Sequence, residues 1–188
     1  MPHAVELCEL AGDREWRRLY VKDSVSPEGV NCQWSPGGRV LISRHKDFMR
    51  LWDTDNGRQM ELPQTEEGEI LDLAFHADGS SLVAATSAGL RCWSTRWDQT
   101  NSDDLLVLGP QDRFGADLAV TGLGFADRGT VLAAAVGGTM QVFDWPNRRL
   151  LRTLRLETGF YGWALSPSGR LCVGGLSPAM LNVEFGMS

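Results

Sequence analysis

The most constraining feature of the chain is a segment of fixed length that occurs four times. Four glycines are each followed 15 residues later by a residue that closes an apolar stretch. The pairs are Gly38 and Asp53, Gly79 and Ser94, Gly129 and Asp144, and Gly169 and Glu184. Successive glycines are 41, 50 and 40 residues apart, so the linkers vary in length while the 15-residue interval does not. An interval kept free of insertions four times indicates a structural repeat.

Each repeat predicts a small antiparallel sheet. Three stretches of alternating apolar and polar residues read as strands, and the first two meet at a turn such as 35–38 that ends in the repeat glycine. A fourth, more polar strand follows in the first three repeats, within 58–63, 103–108 and 149–156. Four strands in about 40 to 50 residues predict an all-β fold. We expect a β-propeller or partial β-propeller of about four four-stranded antiparallel blades.

The repeats set the expected boundaries along the chain. They are about 30–69, 70–119, 120–159 and 160–188, inside a propeller that spans 14–188. Residues 14–21 predict an isolated outer strand, and residues 1–13 an N-terminal extension or an extra strand. Strand 14–21 completing the fourth repeat would close a four-bladed ring within one chain. Two alternatives stay open, namely a ring shared with a second copy and one completed by a different chain.

The ends of the third strands resemble the closing motif of the WD-repeat family. Arg50-Leu51-Trp52-Asp53 matches this motif, Phe143-Asp144 is a variant, and Trp93-Ser94 and Val183-Glu184 are weaker copies. The resemblance covers about residues 30–185. The family's Gly-His pair before the first strand has no counterpart, and Asp47 is the nearest match to its turn aspartate. The resemblance therefore implies the propeller fold, but not the family's hydrogen-bond relay of Asp, His, Ser and Trp.

Large residues at equivalent repeat positions predict core rather than ligand sites. Two such columns are Trp34, Phe75, Phe125 and Leu165, and Cys32, Leu73, Leu123 and Trp163. We expect both columns to be buried between blades. A buried free cysteine behaves there as a small hydrophobe.

Charge and cysteine spacing narrow the classes of partner and compartment. The formal net charge is −6, which argues against a general nucleic-acid footprint and against docking on anionic membranes. No apolar run reaches the ~18 residues of a transmembrane helix, and the N-terminus has no secretory pattern. The cysteines at 8, 32, 92 and 172 lie far apart, without metal-ligand spacing. We expect a cytoplasmic protein that binds neither nucleic acid nor membrane.

Catalysis finds little support in the motifs. The histidines at 3, 45 and 76 share no motif, no cluster has zinc spacing, and no glycine-rich phosphate loop occurs. The segment 53–57 resembles a calcium loop but lacks the closing Glu, so a turn explains it better. We predict no enzyme, no cofactor, no metal and no catalytic residue. The alternative of another class is a propeller hydrolase or lyase with its site in the central channel.

Binding is the predicted function, and the WD-repeat resemblance implies which positions of the chain contact a partner. Partners of that family bind the narrower end of the ring, at the starts of first strands and the turns between second and third strands. The positions that match are Tyr161, the leading candidate, with Glu28, Val30, Glu69, Leu71, Thr121 and Lys46. Phe114 and Trp97 join them as large apolar residues in the otherwise polar loops of an insertion within 95–119, because loops on a rigid scaffold often carry binding residues.

The predicted activity is that of a non-catalytic scaffold presenting propeller loops to a protein or peptide. The alternative is a subunit of a larger propeller completed by self-association, as a homodimer, or by hetero-assembly with a partner chain. Two charged stretches bear on this choice. Acidic residues lie at 61, 66, 67, 69 and 72, and arginines at 148, 149, 152 and 155. We expect the basic outer strand to guard against edge aggregation, with pairing of opposite charges between chains as the alternative.

Overall fold

The computed structural model of the chain describes residues 4–8, 16–20, 31–44, 49–61, 68–97, 106–115, 119–155, 163–166, 168, 171–176 and 179–184. For the strands before residue 31 and after residue 162, the description is of the backbone alone. The chain divides into two compact units, Met1–Gln64 and Thr65–Ser188.

The first unit holds a strand pair and a four-stranded sheet. Strands β1 (Ala4–Cys8) and β2 (Trp16–Tyr20) pair antiparallel, so β2, which falls in the predicted strand 14–21, takes a partner from the predicted extension 1–13. Sheet 1 follows in chain order, with β3 (Asn31–Trp34), β4 (Val40–Arg44), β5 (Met49–Asp53) and β6 (Gln59–Met60).

The second unit holds three more antiparallel sheets, each again in chain order. Sheet 2 consists of β7 (Ile70–Phe75), β8 (Ser81–Thr86), β9 (Gly89–Trp97) and β10 (Leu106–Phe114). Sheet 3 consists of β11 (Val120–Ala126), β12 (Val131–Val136), β13 (Thr139–Asp144) and β14 (Arg149–Arg155). Sheet 4 has β15 (Trp163–Leu165), β16 (Leu171–Leu176) and β17 (Ala179–Glu184).

The fold class predicted from the repeat is confirmed. Among the described residues the regular structure is strand, apart from one 3₁₀ turn at Asp127–Gly129, and the sheets are antiparallel and propeller-like. No helix in this described part is long and apolar enough to cross a membrane.

One backbone hydrogen bond recurs at the same repeat position in sheets 1, 2 and 3. The amide one position after each closing residue (Asp53, Ser94 and Asp144) donates to the carbonyl of the residue that follows the repeat glycine. The pairs are Thr54 to Arg39 at 3.0 Å, Thr95 to Ser80 at 2.9 Å, and Trp145 to Thr130 at 2.9 Å. In sheets 1 and 2 the threonine hydroxyl also donates to the glycine carbonyl, of Gly38 and Gly79 respectively. The main chain therefore fastens the third strand to the first turn whatever side chain occupies the position.

Sheets 2 and 3 pack face to face around an apolar core. Sheet 2 contributes Ala74, Val83, Ala85, Leu90 and Cys92, and sheet 3 and its turn contribute Val120, Leu123, Leu132, Ala134, Val136, Phe143 and Trp145. The first strands β7 and β11 lie side by side, and β11 also contacts β15. A buried hydrogen bond from Leu123 N to Asp72 Oδ2, 3.1 Å, joins the early parts of β7 and β11. His76 Nε2 lies 3.1 Å from Gly129 O near their far ends, so β7 and β11 run in the same direction.

The predicted core columns hold at three positions of the second unit and are wrong in the first, while the side chains of Leu165 and Trp163 lie outside the described residues. Leu73, Phe75 and Leu123 are buried, whereas Trp34 is 53% exposed and Cys32 is exposed as well. Both exposed residues lie on β3, an edge strand bonded to β4 alone among the described strands. Repeat position fixes the face on which a side chain lies, but burial also requires a second sheet over that face.

One link of the hydrogen-bond relay, which the resemblance did not imply, is present in the first unit. Trp52 Nε1 donates to Ser43 Oγ at 2.7 Å, and both residues are buried. This is the Ser–Trp link of that relay, formed between neighbouring strands β4 and β5. The equivalent of Ser43 in sheet 2 is Ala84, which offers Trp93 no hydroxyl. His45 and Asp47 lie outside the described residues.

Candidate functional site

The starts of β7 and β11 carry the same irregularity. The pairing of β7 with β8 slips between Ile70 and Asp72, and that of β11 with β12 slips between Val120 and Gly122. Leu71 and Thr121 are the residues left without a direct cross-strand partner, and each lies eight positions before its repeat glycine. A bulge of this kind redirects the extra side chain and often borders a binding site. Thr121 is exposed and Leu71 is half-buried.

The turn between β8 and β9 is fastened to the start of β7. Ser87 N donates to Glu69 O at 3.0 Å, and Glu69 N donates to Ser87 Oγ at 2.9 Å. The turn itself is closed by Thr86, whose hydroxyl donates to Gly89 O at 2.8 Å. Gly68, with a φ of +81°, passes so close to Ala88 that a Cβ there would lie 2.9 Å from the alanine methyl. Glu69 and Ser87 are thus held together as two exposed polar residues on a rigid support.

The corresponding end of sheet 3 is more open. The turn from β12 to β13 uses Gly137 and Gly138, both at positive φ, and a Cβ added to either would meet nothing within 4 Å. Thr139 Oγ1 donates to Val136 O at 2.7 Å and closes this turn. Because β7 and β11 run in the same direction, their bulges lie at the same end of the two sheets. We call Glu69, Leu71, Ser87, Thr121 and Gly137 the end surface.

Asp72 directly follows the bulge at Leu71 and stabilises the end surface through hydrogen bonds to the backbone. The acidic stretch predicted at 61–72 includes this residue, yet its side chain is buried. Its carboxylate accepts hydrogen bonds from Leu73 N at 3.0 Å and from Leu123 N at 3.1 Å. A carboxylate that accepts backbone amides forms strong, charge-assisted bonds. Asp72 therefore fixes the register of β7 against β11 directly beneath the two bulges, a role that no local sequence signal distinguishes from surface charge.

The predicted location of Phe114 in a loop is wrong. The insertion of the second repeat forms a long hairpin, in which Trp97 ends β9 and Phe114 ends β10. The Phe114 ring packs edge-on against Phe143 at 5.8 Å and against Trp145 at 5.5 Å between ring centroids. The Arg148 guanidinium lies over it at 5.3 Å. Phe114 is thus held among core aromatic rings, because a nine-residue strand carries its end back between sheets 2 and 3.

Four other candidates, Tyr161, Glu28, Val30 and Lys46, lie outside the described residues. For Trp97 the description covers the backbone at the end of β9. Of the predicted set, the described side chains that come together at one end are those of Glu69, Leu71 and Thr121.

A second polar arrangement lies at the opposite ends of β7 and β11, and no sequence motif indicated it. His76 Nδ1 lies 2.5 Å from Asp78 Oδ1, while its ring meets Phe125 edge-on at 5.2 Å. Hydrogen bonds from Ser80 and from His76 lower the pKa of Asp78 to about 2. Burial raises the pKa of the Cys92 thiol in the adjoining core, which keeps it protonated. Among the described residues no group of three or more His, Cys, Asp or Glu could hold a metal.

These features define the class as an all-β chain of antiparallel, propeller-like sheets. No family model matches the chain. Over 59 residues it is 32% identical to the U5 small nuclear ribonucleoprotein 40 kDa protein of Homo sapiens, a WD-repeat protein. The aligned segment covers 31% of this chain and 16% of that protein, so the chain spans a small part of its relative.

Proposed function

We propose that the chain is a non-catalytic scaffold that presents the end surface to a protein or peptide. The observation that carries the proposal is the bulge at Leu71 and again at Thr121, at the same end of two sheets that share a core. The limited similarity to a WD-repeat protein supports the same function. A cytoplasmic location belongs to the proposal as well, although the name of that relative places it in a nuclear particle.

The composition of the end surface suits protein recognition. Leu71 offers partly exposed apolar area, and the surrounding Glu69, Ser87 and Thr121 offer polar groups. Protein interfaces commonly combine an apolar centre with a polar rim. Ser87 Oγ and the Asp72 carboxylate accept hydrogen bonds from backbone amides and hold the backbone in place before a partner arrives, which reduces the entropy lost on binding.

Affinity capture with matched variants tests this function. Glu69→Arg combined with Thr121→Arg changes two exposed side chains without touching the core, and Arg96→Glu changes an exposed residue on β9 as a control. We expect partner proteins retained by the wild type and the control to be lost by the double variant. With a purified partner, the double variant should bind at least about ten-fold more weakly. Equal binding of a purified partner by both variants would contradict the proposal.

One observation favours the alternative of a shared ring. Trp34 and Cys32 on β3 are exposed, while the equivalent Phe125 and Leu123 of sheet 3 are covered by sheet 2 of the same chain. We propose a second copy of the chain as the occupant, since its repeats carry the complementary face. Light scattering should then give a mass near twice 20.7 kDa, reduced to that of a single chain by Trp34→Glu. A wild-type protein of single-chain mass at micromolar concentration would rule this out.

A further inference from the structure

Strand β14 is the outer edge of sheet 3 and differs from the other fourth strands. It is seven residues long, and six of the seven are exposed. Leu150 and Leu151 are 48% and 43% exposed, and with Trp34 they are the large apolar side chains exposed among the described residues. The pairing of β13 with β14 slips between Phe143 and Val142, which leaves Leu151 as an extra residue. This bulge explains why two adjacent leucines are both exposed.

The other fourth strands are better protected as edges. Strand β6 has two residues, and β10 carries Pro110 at a break in its pairing. Short strands, prolines and bulges are the usual means by which proteins prevent another strand from adding to a sheet. Strand β14 also has a bulge and charged side chains, but it contains no proline and is longer than β6. Its length and exposed leucines favour an edge that receives a partner.

The charge of β14 indicates the chemistry of that partner. The strand carries Arg149, Arg152 and Arg155 and no acidic residue, although the chain as a whole has a net charge of −6. Arg149 is 71% exposed and has only a long contact of 3.9 Å with Asp144. A partner with carboxylates would be attracted here and repelled by most of the remaining surface.

We propose that β14 is a docking edge for an extended, acidic segment of a partner protein. The segment adds to sheet 3 as a fifth strand, so its main chain bonds to the outer edge of β14. Its apolar side chains cover Leu150 and Leu151, and its carboxylates pair with Arg149 and Arg152, which the pairing with β13 places on the other face of the strand. Strand addition of this kind derives its affinity from main-chain hydrogen bonds and its specificity from alternate side chains. The edge is separate from the end surface, because β14 and β11 are opposite edges of sheet 3.

Fluorescence anisotropy with designed peptides tests the docking edge. The probe is a labelled nine-residue peptide of alternating Glu and Val, measured against the full chain. Its counterparts are a Glu–Pro peptide of equal charge that cannot pair as a strand, a Lys–Val peptide of opposite charge, and a nine-nucleotide oligodeoxythymidylate. We expect the Glu–Val peptide to bind with an affinity that falls as salt rises, and the three counterparts to bind at least about ten-fold more weakly.

Protein variants locate the binding. Arg149→Glu combined with Arg152→Glu, and separately Leu150→Ser combined with Leu151→Ser, should each weaken the binding of the Glu–Val peptide about ten-fold or more. Arg96→Glu and the end-surface variant Glu69→Arg/Thr121→Arg should bind as the wild type does. Circular dichroism confirms that each exposed substitution leaves the fold intact.

Three results would overturn the proposal. Unchanged binding by the double arginine variant would show that the Glu–Val peptide does not bind at β14. Equal affinity for the Glu–Pro peptide would reduce the effect to charge without strand addition. Tighter binding of the oligonucleotide, abolished by the arginine substitutions, would mark the strand as a nucleic-acid contact instead. None of these results bears on the end surface, whose function has its own variants.

Discussion

His76 joins two sheets of the second unit through one side chain. Its Nδ1 faces the carboxylate of Asp78 and its Nε2 faces the carbonyl of Gly129, at 2.5 and 3.1 Å. Both ring nitrogens therefore lie within hydrogen-bond distance of an oxygen atom. The ring also stacks near Trp145, with 6.2 Å between centroids. Since His76 follows β7 and Gly129 precedes β12, this side chain holds the first turns of sheets 2 and 3 together.

Replacing this histidine should destabilise the chain measurably. We expect His76→Ala to lower the free energy of unfolding by about 2 kcal/mol, because two hydrogen bonds and the ring contacts are lost together. Urea denaturation measures the change. Asp78→Asn is the matched control, since it leaves the bond to Gly129 in place and should cost less. A His76→Ala protein as stable as the wild type would show that the bridge contributes nothing.

The lowered pKa of Asp78 predicts an acid dependence. Its pKa falls from 3.8 to about 2 because Ser80 and His76 donate hydrogen bonds to the carboxylate. A pKa depressed in the folded state stabilises the fold above the unfolded-state pKa, and this contribution is lost as pH falls from about 4 towards 2. The stability difference between wild type and Asp78→Asn should therefore shrink across that range in urea titrations. A difference independent of pH would contradict this assignment.

The Ser43–Trp52 hydrogen bond makes a separate residue-level prediction for the first unit. Ser43→Ala should lower the free energy of unfolding by about 1 to 3 kcal/mol, because it leaves the buried indole N–H without its acceptor. Ser43→Thr keeps a hydroxyl and serves as the control in the same denaturation series. Equal effects of the two substitutions would mean that volume, rather than the hydrogen bond, accounts for the loss.

At the scale of elements, the ring of His76 lies against the first turn of sheet 3 and restricts which residue can occupy position 129. Gly129 has a φ of +93°, and a Cβ there would collide with the His76 ring. Gly137, in the next turn, also has positive φ but faces open space. The two glycines therefore separate backbone strain from steric contact, which are usually combined in a glycine substitution.

Paired alanine substitutions should show this separation. Gly137→Ala should cost about 1 kcal/mol from its left-handed backbone alone. Gly129→Ala should cost at least about 1 kcal/mol more, because the ring of His76 must also move. In the background of His76→Ala that additional cost should largely disappear, since interacting residues give non-additive effects. Thermal or urea unfolding of the four variants provides the comparison, and full additivity would refute the contact.

The strands themselves were predictable from local pattern, but several contacts between them were not. Alternation and the repeat glycines give β3 to β5 and their counterparts, since both signals lie within a few neighbouring residues. The exposure of Trp34 depends on whether another sheet covers β3, which no alignment of repeats within one chain reveals. Asp72 and His76 each bond to a residue more than 50 positions away. Only the assembled sheets distinguish these two from ordinary surface polar residues.

At the scale of the whole molecule, the net charge argues against nucleic-acid binding by either of the two proposed surfaces. The formal net charge of −6 gives the chain no general means of neutralising phosphates. We expect a 20-base-pair duplex to bind more weakly than about 100 μM at physiological salt, as measured by anisotropy. Duplex binding at micromolar concentration would show that the arginines of β14 dominate the field of the molecule.

The candidate site was predictable in position but not in form. Resemblance to WD-repeat chains pointed to Glu69, Leu71 and Thr121, and the described side chains of all three lie at one end of sheets 2 and 3. The bulges that give this end its shape depend on the pairing of β7 with β8 and of β11 with β12. A one-residue slip leaves no trace in composition or alternation, because the strand on either side of it keeps the same residues.

The backbone bond that closes sheets 1, 2 and 3 has a consequence for how such a chain changes over evolutionary time. It joins an amide to a carbonyl, so a threonine at 54 and 95 and a tryptophan at 145 form the same bond. Substitutions can accumulate at this position without loosening the sheet, and a recognisable motif can disappear while its architecture is inherited. Lineages of such repeats should therefore diverge in sequence faster than in shape, leaving the spacing of the glycines as the most durable record of common descent.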